Sequence, residues 1–109
     1  MKNEDIIYIY VNEKGMRDME SGRLEIRKGV LYSYDMPIAV RKVGVFYLNK
    51  DAEGFSATTT RHYHLLKRLL EEKGEKYMEV SKEKIDEILN EWWVKNLFVF
   101  LILFLIASY

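Results

Sequence analysis

At 109 residues the chain has room for one domain. It has 17 basic and 17 acidic side chains and no cysteine. This excludes disulfides, cysteine-ligated zinc and thiol catalysis, and gives no polycationic surface for nonspecific nucleic-acid binding.

Ile6-Ile7-Tyr8-Ile9-Tyr10-Val11 is β-branched and aromatic with both faces apolar, and predicts a central strand. The run is also shorter than the apolar core of a signal peptide, so none is expected. Residues 12–22 are polar and glycine-bounded, the composition of a loop or one weak helical turn. Leu24-Glu25-Ile26-Arg27 alternates apolar and charged residues, as a half-exposed strand does. Lys28-Gly29 is a turn, because Gly29 takes positive φ without strain. Strands follow at Val30-Leu31-Tyr32-Ser33-Tyr34, Ile38-Ala39-Val40 and Val45-Phe46-Tyr47-Leu48, so residues 24–48 predict an antiparallel meander. Pro37 cannot donate to a ladder, so a strand can begin there but not run through it.

Helical spacing then takes over. Tyr63, Leu65, Leu66, Leu69 and Leu70 form one stripe over residues 61–73, with one of Thr58, Thr59 or Thr60 as the expected cap and Gly74 as the stop. Tyr77-Met78-Glu79-Val80 is a short strand or extended linker. Ser81 begins a second helix, with Val80 and Ile85 placed for a hydrophobic staple.

Residues 97–107 contain no polar side chain, and Lys95 is the sole charge after Glu91. A helix apolar all round must be enclosed by protein or immersed in lipid, and a domain of residues 1–91 has a small interior. Eleven residues make only about 16 Å of helix against roughly 30 Å of hydrocarbon; counting from residue 92 to 109 gives about 27 Å. Trp92, Trp93 and Tyr109 sit where interfacial aromatic belts would, and Lys95 can snorkel. The expectation is a tail anchor over residues 92–109 with the folded domain cytoplasmic. The competing readings are a buried strand or core helix, or an oligomer interface.

Thr58-Thr59-Thr60-Arg61-His62-Tyr63-His64 is the most chemically loaded local stretch. At helical spacing His62 joins the leucine stripe and His64 faces solvent, so the two cannot share a metal ion. No metal or cofactor is expected. His62 reads as a hydrogen-bonded core residue in preference to a general base. The hydroxyls at the helix start, with Arg61, His64 and Arg68, form a candidate phosphate or nucleic-acid contact. The pairs Tyr8/Tyr10 and Tyr32/Tyr34 share strand faces in a way that can stack bases, but cross-strand packing is the simpler reading.

Leu31-Tyr32-Ser33-Tyr34-Asp35-Met36-Pro37-Ile38-Ala39, followed by Phe55-Ser56-Ala57-Thr58-Thr59-Thr60-Arg61-His62, resembles a pattern in small uncharacterised phage and archaeal-virus proteins. Met36 and Phe55 depart from that pattern, where a small polar residue and a tyrosine are expected. The resemblance implies a viral or mobile-element origin and no activity.

The resulting expectation is an α+β fold: a small antiparallel meander, a packed helix, and a C-terminal helix continuing into the apolar tail. The first functional reading is a noncatalytic membrane-anchored accessory protein that binds a protein partner or a second copy. The alternative is a soluble nucleic-acid-binding or regulatory module using the helix start from Thr58 to His62.

Overall fold

Three two-residue turns with positive φ at both positions fold the middle of the chain into a meander. They are Lys28-Gly29 (φ 52 and 80), Tyr34-Asp35 (53 and 69) and Val43-Gly44 (52 and 77). This geometry matches the right-handed twist of the strands it joins. The computed structural model describes the backbone of residues 4–107, with their side chains except at 91–100 and 104.

The elements are α1 (Asp5–Glu13), β1 (Met19–Ser21), β2 (Leu24–Arg27), β3 (Val30–Ser33), β4 (Met36–Lys42), β5 (Val45–Asn49), a short 3-10 turn (Lys50–Ala52), α2 (Ala57–Glu72), β6 (Tyr77–Val80) and α3 (Lys82–Ala107). One six-stranded sheet runs in the order β1-β2-β3-β4-β5-β6. The first five strands pair antiparallel. β6 lies parallel to β5, which requires a crossover, supplied by α2. The α+β architecture and the meander agree with the sequence reading.

Pro37 is accommodated by a bulge. Leu31 faces Ala39 and Tyr32 faces Pro37, so Ile38 is the extra residue. Ile38 and Ala39 are in consequence both fully buried.

The two sheet faces are covered unequally. α1 and α2 close one face over Ile26, Leu31, Phe46 and Leu48, contributing Ile6, Ile7, Tyr10, Tyr63, Leu66 and Leu70. The start of α3 closes the other face over Val30 and Val40, through Ile85 and Ile88. Ser81 Oγ accepts the Lys84 amide at 3.2 Å, and the Asp51 carboxylate accepts the Lys82 amide at 2.9 Å. Val80 packs in the same cluster as Ile85, as the staple requires.

The strand expected at the N-terminus is a helix. Residues 6–11 lie in α1, where Ile6, Ile7, Tyr10 and Val11 are buried and Tyr8 is exposed. Their spacing, i, i+1, i+4, i+5, is a helical stripe, and a six-residue apolar run does not separate helix from strand by composition. Lys14 and Gly15 then take left-handed conformations that end the helix.

The tail anchor is overturned as well. Among the described residues no helix is long and apolar enough to cross a membrane. The apolar run occupies only the last part of α3, whose first turns carry Lys82, Glu83, Lys84, Asp86 and Glu87. A span needs about 20 apolar residues, so neither the anchor nor the orientation built on it stands. The buried-strand reading fails too, since the segment is helical and Leu101, Leu103, Leu105 and Ile106 are exposed. The side chains of Trp92, Trp93 and Lys95, expected at a membrane interface, lie outside those described, as does Tyr109 altogether.

Gly15 has φ +69, and a Cβ there would lie 3.1 Å from Tyr10 Cε1 and 3.2 Å from Gly29 Cα. Gly15→Ala is expected to lower the unfolding free energy by roughly 1–3 kcal/mol. Urea denaturation reads this as a shifted midpoint; an unchanged midpoint would show that this close approach is not required.

Candidate functional site

The start of α2 is largely occupied by the protein itself. Ser56, extended at φ −155, caps the helix and accepts the Thr59 amide at 3.1 Å. The cap is therefore Ser56, not one of the threonines, and all three threonines fall inside the first turns. Ser56 holds the extended backbone that a capping residue needs.

Thr59 Oγ1 lies 3.2 Å from Ser33 Oγ, which lies 3.0 Å from His62 Nδ1, and all three residues are buried. Thr60 Oγ1 accepts the Gly54 amide at 2.8 Å. Thr58 is exposed to neither extreme of its neighbours: Ala57 is open to solvent and Thr59 is enclosed. The outward basic side chains are each beside a carboxylate: Arg61 and Glu4 at 3.4 Å, the His64 ring and Glu53 at 3.7 Å, Arg68 and Glu72 at 3.9 Å. Lys67 and the Tyr63 hydroxyl both meet Glu79.

Ser33 and His62 have the composition of a nucleophile and base. Ser33 is 0% and His62 3% exposed, so no substrate carbonyl can reach them in this conformation. The trio ties β3 to α2 as a satisfied polar cluster inside an apolar core. Among the described residues no group of three His, Cys, Asp or Glu side chains could hold a metal ion.

A different site lies on the opposite face. A groove of about 570 Å³, open to solvent, is lined by Arg27, Lys28, Tyr32, Val40, Arg41, Lys42, Ile88 and Leu89. The topology assembles it. The β2–β3 and β4–β5 turns fall at the same end of the sheet, so Arg27-Lys28 and Arg41-Lys42 come together. Arg41 N donates to Gly29 O at 3.1 Å, joining the two segments. The Arg27 guanidinium lies over the Tyr32 ring, 4.9 Å from its centroid, a cation–π contact. Arg41 borders the groove, but its guanidinium lies over Phe46 at 5.4 Å, toward the α1 side of the sheet. Its Nε is enclosed there with no acceptor among the described residues. The cations that face the groove are thus Arg27, Lys28 and Lys42. Glu25 sits 3.6 Å from Arg27, Asp18 accepts the Lys28 amide at 2.9 Å, and Lys42 is engaged as well.

The family match runs over residues 2–87, most of the chain. The chain belongs to the DUF8033 family, a family of unknown function. No curated protein and no solved structure matches it. Membership accords with the expected resemblance to an uncharacterised family, and nothing in it points to catalysis. The DUF8033 match takes in the whole sheet side of the groove, from Arg27 to Lys42, and stops just before Ile88 and Leu89.

The sequence does not single out the groove residues, because the cations are split between two short segments with acidic neighbours. The readable signal is the pair of turns, each with basic residues at its mouth, in a meander that must bring alternate turns to one end. The Arg27–Tyr32 contact is a diagonal cross-strand pair, since Arg27 faces Val30 and Glu25 faces Tyr32.

Burial, with Arg61 adding to it, holds the His62 imidazole below its ordinary value of 6.5, while Glu4 opposes the shift. The folded protein therefore resists protonation, and the unfolded chain binds the proton more readily. Stability from this group is present above pH 6.5 and is lost as the pH falls below it. Between about pH 7 and pH 5 the thermal midpoint should fall further for the parent chain than for His62→Asn. Equal falls in both would show that the imidazole is not held neutral by the fold.

Proposed function

We propose that this DUF8033 domain is a noncatalytic module that binds nucleic acid in the groove between the hairpin ends and α3. The observation that carries the reading is the convergence of Arg27, Lys28 and Lys42 beside an aromatic ring and an apolar wall. Phosphates are neutralised by clustered lysine and arginine, and bases stack on aromatic or guanidinium planes. The overall charge is zero, so binding of this kind depends on a local concentration of cations and not on a field from the whole surface.

The motif resemblance supports a viral or mobile-element source, a setting in which a small nucleic-acid-binding accessory protein is at home.

Two double variants separate the groove from the helix start. Lys28→Ala/Lys42→Ala is expected to weaken binding of a labelled oligonucleotide and to reduce the slope of log affinity against log salt by about 1–2. Arg61→Ala/Arg68→Ala should leave both nearly unchanged, because those side chains lie on α2 and do not line the groove. The reverse pattern would move the site to the start of α2, and a parent chain that binds no oligonucleotide at low salt would overturn the proposal.

A further inference from the structure

We infer that the groove takes single-stranded nucleic acid, with one unpaired base seated on Tyr32 between Arg27 and the Ile88–Leu89 edge of α3. This rests on the nucleic-acid reading above and narrows it to a class of strand.

Shape is the first reason. A protein reads a duplex by sending a convex element into a groove about 12 Å wide. Here the cations line a concavity, bounded by the sheet on one side and α3 on the other. A concave site must receive something from the ligand. A base in a duplex is stacked and paired; a base in a single strand can be turned out and inserted.

The lining is the second reason. A site for backbone phosphates alone needs cations and polar donors. This one adds Val40, Ile88, Leu89 and the half-buried Tyr32 ring. Such a wall contributes nothing to a phosphate but suits the face and edge of a base. Its volume of about 570 Å³ lies within the ~300–1,000 Å³ usual for small-ligand sites.

The third reason is the arrangement of charge around the ring. Arg27 already lies over Tyr32 and is also paired with Glu25. A base that stacks on Tyr32 meets this guanidinium at its edge or displaces it onto a flanking phosphate. Lys28 and Lys42 stand at the two hairpin mouths, where they can take the phosphates that flank the inserted nucleotide.

Fluorescence anisotropy with the full chain tests this, using a labelled oligothymidylate of about 12 nucleotides, within the ~4–16 that comparable single-strand sites cover. Its duplex with oligoadenylate and free thymidine monophosphate serve as competitors. The single strand should bind at low salt, and the duplex should compete at least about tenfold more weakly. Tyr32→Leu keeps an apolar side chain against Val30 and Val40 but removes the ring, and should weaken single-strand binding about tenfold. Tyr32→Phe should stay near the parent value. Circular dichroism melts of each variant report whether the fold persists. If Tyr32→Leu melts early, Tyr32→Phe carries the comparison, and loss of binding with the ring retained would count against stacking. Equal or tighter competition by the duplex would overturn the single-strand inference while leaving the nucleic-acid reading intact. Competition by the monophosphate as strong as that of the strand would overturn it in favour of a free-nucleotide site. Absence of binding to any polynucleotide would overturn both.

Discussion

The hydroxyl of Tyr10 donates to the carbonyl oxygen of Gly29 at 2.8 Å, and much of the structure hangs on this bond. Tyr10 is fully buried; its ring meets Phe46 edge-on at 5.6 Å, and burial pushes its phenol well above the ordinary range. It therefore acts as a neutral donor. The same carbonyl also accepts the Arg41 amide. One oxygen thus joins α1, the β2–β3 turn and β4. Arg27 and Lys28 are fixed on one side of that junction, and Lys42 on the other. Gly15 must lack a side chain because the ring and the turn both crowd it. A helix on the far side of the sheet in this way sets the separation of the groove's two basic segments.

The α2 side of the sheet is organised around polar groups as well. Ser33 sits where an apolar residue would be expected on the covered side of β3, and it is matched by Thr59 and His62 from α2. Three buried polar groups satisfying one another specify how α2 lies on the sheet, because a rotated or shifted helix would leave them unpaired. The chemistry that makes the helix start look like a binding site is consumed by this task. Hydroxyls that cap, that accept a loop amide, or that bond a buried histidine are not available to an anion.

Strands β2 to β5 are legible in the sequence because the meander advertises itself twice, by alternation in Leu24-Glu25-Ile26-Arg27 and by glycine at the second position of two turns. β1, by contrast, lies in a polar stretch that reads as a loop or weak helical turn, and is a strand only through its pairing with β2. α2 and the start of α3 are legible from their stripes. The first helix is not, because Ile6 to Val11 satisfies both templates and the deciding partners, α2 and β2, are distant in sequence. The tail misleads for another reason. Its composition argues for shielding, and a small body does fail to enclose Leu101, Leu103, Leu105 and Ile106. Shielding by acyl chains does not follow from that, since the apolar run is too short and continues a charged helix. The groove is half legible: basic residues at two turns can be read from the chain, but their convergence with Tyr32 and α3 depends on which face α3 covers.

That dependence gives α3 two tasks that pull against each other. Among the described residues its docking rests on a cluster of four buried side chains, Val30, Val40, Ile85 and Ile88, against sixteen in the larger core. Among the described residues the smaller cluster therefore offers less buried apolar contact to resist local opening. Ile88 seals this cluster and also lines the groove. A polar substitution there would make the wall wetter and at the same time loosen the helix that forms it. A larger one would fill the groove. The position is therefore constrained from both sides, by packing beneath and by the space above, and the groove can exist only at the size that this compromise leaves.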